Sequence, residues 1–192
     1  MEQIWTRITN WIEAHAPQLI EVLQPGASEA QLCELEEALH VELPDDVKAL
    51  YRLCNGQSSF DYGLINGSEF LSLERIKEEW TVWKSLLDTN ELIADDDIQS
   101  ERIDAGIRKV WWHPKWIPLT YNGGGDHDCL DLAPIDEGVR GQIITMWHDD
   151  DERKVLSHSI KEWLQQYAEQ LETGHLVFSE EFGGIISNIS DA

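Results

Sequence analysis

The chain has 192 residues, and 14 basic against 37 acidic side chains leave a formal net charge of −23. That length is enough to bury a real core within one domain, and a 42% hydrophobic content with nine tryptophans is too apolar for a disordered acidic polymer. The charge repels phosphate backbones and anionic lipid surfaces, so the composition argues against a general nucleic-acid binder or a membrane-surface protein, and it makes basic proteins the natural partners.

Ile4, Trp5, Ile8, Trp11 and Ile12 form one helical stripe over 2–16, limited by Pro17. Pro25-Gly26 turns the chain, Ser28 and Gln31 make a capping box, and Leu32, Leu35 and Leu39 share the inner face of the next helix. Pro44 suits the first turn of a third helix, with Val47, Leu50, Tyr51 and Cys54 inside. Asn55-Gly56 is expected to stop it, because both residues tolerate left-handed backbone. Residues 57–69 read as a loop with a short strand near Tyr62–Ile65, and Leu73–Leu87 as a helix with Ile76, Trp80, Trp83 and Leu87 on one face. The polar stretch 88–104, with Asp95-Asp96-Asp97, reads as a mobile insertion.

From Trp116 the period changes. Ile117–Tyr121, Cys129–Ala133, Gly141–Trp147 and Arg153–His158 are short β-rich runs separated by turn chemistry, a spacing that favours an antiparallel meander. Ser159 and Glu162 make a second capping box for a helix carrying Trp163, Leu164, Tyr167 and Leu171 up to Gly174. Leu176-Val177-Phe178 offers a last strand before the chain trails off. The expected architecture is α+β: N-terminal helices packed on a twisted, mainly antiparallel sheet, with a C-terminal closing helix. A single domain over 1–175 would keep 176–192 as its own strand and tail. The cysteines (Cys33, Cys54 and Cys129) form no CxxC pair, the N-terminus lacks a signal-peptide pattern and no apolar run is long enough to span a bilayer, which together point to the cytoplasm.

Few residues carry chemistry. Gly123-Gly124-Gly125-Asp126-His127-Asp128 is the most enzyme-like stretch, and Asp126, His127, Asp128, Asp131, His148 and Asp149 are all metal-ligating types. Their spacing matches neither HExxH nor a calcium loop, and the glycines lack the Lys-Ser/Thr of a phosphate loop, so a turn between strands explains them. With no Gly-x-Ser-x-Gly elbow and no informative carboxylate pair among 37 acids, the residues point to no catalytic group, no metal and no cofactor. Asp128 and Asp131, three apart, face opposite sides of an ideal strand, so one can fix a turn while the other faces solvent. The adjacent Trp111 and Trp112 likewise point opposite ways, leaving one available as an apolar anchor.

The order of motifs is similar to that of the SUKH superfamily, in the branch that includes the fungal cell-wall assembly regulators and many bacterial relatives. Leu43-Pro44-x-Asp46-Val47-Lys48-x-Leu50-Tyr51-x-x-x-Asn55-Gly56 carries the resemblance. Phe70-Leu71-Ser72-Leu73-x-x-Ile76, Trp116-Ile117-Pro118, Asp128-x-x-x-Asp131-Leu132-x-Pro134 with Gly141-Gln142-Ile143, and Ser159-x-x-Glu162-Trp163-Leu164 continue it downstream. The resemblance implies a single α+β domain without catalysis. It also implies a role in binding, since bacterial members resemble immunity proteins that neutralise a cognate toxin.

The expected function is therefore that of a non-enzymatic immunity protein that occludes a basic, nuclease-type toxin, and the alternative is a regulatory adaptor similar to the cell-wall assembly regulators. A net charge beyond the roughly 2–8 that solubility needs in a small domain supports capture of a cationic protein in either case. The expected contact residues are Asp126, Asp128, Asp149, Asp150, Asp151 and Glu152, with Trp111 or Trp112 as anchor. A hairpin tip would project the 149–152 charges, and Asp126 and Asp128 extend the patch if the two turns share one end of the sheet. Oligomeric state is left open by the sequence.

Overall fold

A computed structural model describes residues 1–89 and 101–188. Helix α1 (Glu2–His15) buries Ile4, Trp5, Ile8 and Ile12 against α6 (Ile160–Thr173). Pro17 does more than end α1, because it also opens the short helix α2 (Gln18–Val22), where proline's fixed φ suits a first turn. Helix α3 (Glu29–Leu39) has the full capping box: Gln31 N–H donates to Ser28 Oγ at 3.3 Å, and Ser28 N–H donates to the Gln31 carbonyl oxygen at 2.9 Å.

Helix α4 (Asp45–Tyr51) ends earlier than the sequence suggests. Cys54, Asn55 and Gly56 lie in strand β2 (Cys54–Gln57), which pairs antiparallel with β1 (Leu23–Pro25). Gly56 is required by close approach. Its φ is +70°, and a Cβ there would stand 2.5 Å from the Leu71 carbonyl carbon. Asn55 is likewise no helix stop, since its Oδ1 accepts the N–H of Leu73, the first residue of α5 (Leu73–Asp88), at 3.0 Å.

The 57–69 segment is organised by a buried glutamine. Gln57 Oε1 accepts from Leu64 N–H at 3.2 Å and Phe70 N–H at 2.8 Å, while Nε2 donates to the Ser59 and Tyr62 carbonyls. A Tyr62–Ile65 strand does not form. Isolated bridges link Gly63 to Gly184 and Ile65 to Ser68, and β3 (Glu69–Phe70) pairs with β5 (Thr120–Tyr121).

The main sheet runs β4 (Trp116–Pro118), β6 (His127–Asp131), β7 (Gln142–Met146), β8 (Val155–Ser157), all antiparallel, as a meander should. The expected strand 117–121 is divided at Leu119. That residue's N–H goes to Asp128 and its carbonyl accepts from Leu71, so β4 and β5 join different sheets. Both faces of the meander are covered. Leu130 and Ile143 face the main core, built with α1, α3, α4 and α6, whereas Cys129, Ile144 and Met146 face a second cluster containing Trp83, Trp112, Trp116 and Ile107.

Ser159 Oγ caps α6 by accepting Glu162 N–H at 3.1 Å, and Gly174 closes the helix in the left-handed region. The chain does not trail off after the next strand. Strand β9 (Leu176–Ser179) pairs with β10 (Gly184–Ser187), and Ile185 enters the main core. The expected insertion at 88–104 falls largely on 90–100, outside the described residues; beyond it, Ile103 bridges to Arg153. The architecture is α+β, as the element pattern requires. No helix among the described residues is long and apolar enough to cross a membrane.

Candidate functional site: a cross-braced acidic sheet end

Because His127 pairs with Met146, the turn that enters β6 and the turn that leaves β7 lie at one end of the sheet. Asn122 shapes the first turn: its Oδ1 accepts the N–H groups of Gly124 (2.8 Å) and Asp126 (3.0 Å), and its amide donates to Asp126 Oδ2 (2.6 Å). Asp126 Oδ1 then crosses to the second turn, where it accepts the His148 backbone N–H at 2.9 Å and lies 2.8 Å from His148 Nδ1. Burial works to raise the Asp126 pKa, but the two His148 contacts and the Asn122 amide outweigh it and hold the carboxyl below its usual value. The hydrogen bond to Asp126 raises His148, against an opposing effect of burial.

The 149–152 turn is built over a buried arginine. Arg153, fully buried, donates to the carbonyls of Asp150 (2.6 Å), Glu152 (2.7 Å) and Trp111 (2.9 Å), and its guanidinium lies 5.6 Å from the centre of the Trp111 ring. Asp150 Oδ1 accepts Glu152 N–H, and Arg102 pairs with Asp150 at 2.6 Å and also with Asp151. Those Arg102 hydrogen bonds, followed by the Glu152 N–H, lower the Asp150 pKa. Glu152 lies 3.6 Å from Lys154, whereas Asp149 is 75% exposed and its nearest cation-capable atom is His148 Nδ1 at 3.9 Å.

The structure therefore brings Asp126, Asp149, Asp150, Asp151, Glu152 and Trp111 together. It does not bring Asp128 or Trp112 to that surface. Asp128 lies half-buried on the Leu130 side of β6, and burial pushes its carboxyl up to about 7. Trp112 is 4% exposed, stacked on Trp83 and edge-on to Trp80. Residues 111–112 are loop and not strand, so alternation does not govern them; the second core cluster takes Trp112, and Trp111 stays partly exposed beside Arg153. Sequence reasoning reads Asn122 as turn chemistry without its bond to Asp126, and it missed the bracing roles of Arg153 and Arg102. The one available signal was a lone arginine directly after four acids.

Of the metal-ligating types, Asp126, His148 and Asp149 are the group that the described residues bring within 4.8 Å. Two of the three are already bonded to each other. His127 is committed elsewhere, with Nδ1 at 2.7 Å from the Thr120 carbonyl and Nε2 accepting from Trp83 Nε1–H at 3.0 Å. Asp131, wholly buried, fixes the turn after β6 by accepting from Ala133 N–H and Gln142 Nε2. Burial pushes the Cys54 thiol up to about 12 and raises Cys129 as well, so neither is poised as a thiolate.

A mixed α+β domain presenting a braced acidic loop pair defines the class of molecule. The chain belongs to the SMI1/KNR4 family (SUKH-1), whose family model matches residues 26–166. It is 30% identical over 92% of its length to a glucan synthesis regulatory protein of Neurospora crassa. Identity is 25% over 89% of the chain to the cell wall assembly regulator SMI1 of Saccharomyces cerevisiae, and 29% over 94% to the cell wall biosynthesis/cell cycle regulator smi1 of Schizosaccharomyces pombe. The chain spans 39%, 40% and 38% of those three relatives.

Proposed function

We propose that this chain is a non-enzymatic regulatory binding module that works in cell-wall assembly, as its relatives are described to do, by docking a basic partner protein on the acidic sheet end. The carrying observation is the braced loop pair, in which Asp149 projects from a turn held rigid by Arg153 and Arg102, beside the partly exposed Trp111. A fixed negative patch steers a cationic partner and costs little ordering on contact, while the tryptophan supplies apolar area.

The test is a chimera in which this chain replaces the aligned region of the Saccharomyces cerevisiae regulator. Restored wall integrity is expected, with weaker restoration by the Asp149→Lys chimera; no restoration by a chimera that folds and accumulates normally refutes the regulatory reading. The net charge of −23 also suits an immunity protein covering the positive surface of a nuclease toxin. Co-expression with a toxin encoded by a neighbouring gene tests that reading, since protection of the cell together with co-purification supports it and growth arrest removes it.

A further inference from the structure

A second surface lies away from the acidic sheet end. Helices α3 and α5 flank a cleft of 710 Å³, within the range of about 300–1,000 Å³ typical of ligand sites. Leu35 and Leu73 give its apolar floor, and Glu34, Glu74 and Glu78 stand along it against a single lysine, Lys77. Lys77 Nζ reaches Glu34 at 3.6 Å, so one ammonium group already sits between the two helices, and Arg75 Nη1 donates to Glu78 at 2.7 Å from along α5.

The base of the cleft holds an unused donor. Asn55 is 7% exposed, and because its Oδ1 must accept Leu73 N–H, its orientation is fixed with Nδ2 as the remaining polar atom. Among the described residues no acceptor meets Nδ2, although Asn55 lines the cleft. Ser72, also buried and lining the cleft, accepts from Arg75 N–H at 3.2 Å and keeps its hydroxyl proton free to donate. Nδ2 is not among the sealed unpartnered atoms, so it stays open to the cleft, where a ligand carbonyl can take the place of solvent on its two protons.

Donors at the base call for an acceptor, while three glutamates against one lysine reject an anion. A peptide satisfies both conditions, with neutral carbonyls for the base and cationic side chains for the rim. We propose that the α3/α5 cleft binds an extended Lys/Arg-containing segment of a partner protein. A backbone carbonyl of that segment accepts from Asn55 Nδ2, an aliphatic stem lies on Leu35 and Leu73, and the cationic head replaces Lys77 among Glu34, Glu74 and Glu78. This site is independent of the acidic sheet end and stands whether or not that end docks a partner.

The experiment selects a random 12-residue phage-displayed peptide library on the full chain and maps one enriched synthetic peptide by amide NMR. Enrichment of Lys/Arg-containing peptides is expected, with shifts at the Asn55 side-chain amide, Leu73 and Glu74. Glu34→Gln with Glu78→Gln, both exposed positions, should weaken the peptide roughly tenfold, in line with two partly screened charge contacts. Asn55→Ala should abolish binding if it folds, and the double glutamine variant keeps the test valid if it does not. Asp149→Lys should leave this affinity unchanged, which separates the site from the sheet end. The proposal is overturned by the absence of a basic consensus, by shifts confined to 122–126 and 148–153, by equal affinity of the glutamine variant, or by inorganic phosphate producing the cleft shifts in place of the peptide.

Discussion

The acidic sheet end and the α3/α5 cleft are both negative, but they use their carboxylates differently. At the sheet end Asp126, Asp150 and Asp151 hold turns and arginines in place, and Asp149 alone of the five points three-quarters into solvent. In the cleft, Glu34 and Glu78 pair with Lys77 and Arg75 yet stay largely exposed, and Asn55 Nδ2 meets no acceptor among the described residues. Formal charge therefore does not locate an interface; what matters is how much of a carboxylate still faces solvent once its bonds within the fold are made.

The largest test of this contrast is Arg153→Met. It strips the donors from the Trp111, Asp150 and Glu152 carbonyls and should cost about 3 kcal/mol in urea unfolding, since buried polar groups lose their partners. A loss near that of an ordinary surface change would show that the turn holds itself. Glu34→Gln in the cleft should barely register in the same measurement.

Asp128→Asn comes next, and its effect depends on pH. Burial lifts the folded carboxyl from 3.8 to about 7, so between those values the unfolded chain releases a proton that the folded chain retains. Stability thus falls as pH rises through that window. The variant should gain about 1–3 kcal/mol over wild type at pH 8 relative to pH 4, and equal differences at both pH values would contradict a buried neutral acid.

Asp126 and His148 should behave in the opposite way. The lowered Asp126 contributes stability above its ordinary 3.8 that is lost as pH falls through its folded value, and the raised His148 contributes below its ordinary 6.5 and loses that contribution as pH rises through its folded value. The brace is strongest between 3.8 and 6.5. Asp126→Asn should return His148 toward 6.5 in an NMR titration, and an unmoved histidine would mean the crossing bond is absent in solution. Smallest of all in stability is Asp149→Lys, expected within about 0.5 kcal/mol of wild type because it contacts no buried group, yet slower in associating with a basic partner.

Much of this was legible one element at a time. Ser28 with Gln31, and Ser159 with Gly174, marked helix ends because capping satisfies backbone groups a few residues away. The meander followed from short β-rich runs and short turns. At the site, the 149–152 run and Asp126 were readable as acids, and Trp111 as a candidate anchor. Their bracing was not, because Arg153 finds its acceptors at Trp111, 42 residues away, and Asp126 meets His148 across the strand register. Asp128 was misplaced because alternation gives two faces without saying that both are covered here.

The amino-acid order alone set the local grammar: which segments coil, where α3 and α6 are capped, that the later strands alternate in direction, and that the surface is strongly anionic. These depend on near neighbours in the chain and on counting charges. Tertiary packing decided that Asn55-Gly56 is a strand and not a helix stop, that Trp112 is core and Trp111 partly exposed, and that one asparagine amide faces a cleft with no acceptor among the described residues. Each of those outcomes depends on what arrives from a distant segment, as Leu71 and Leu73 do at β2, and no local spacing encodes that arrival.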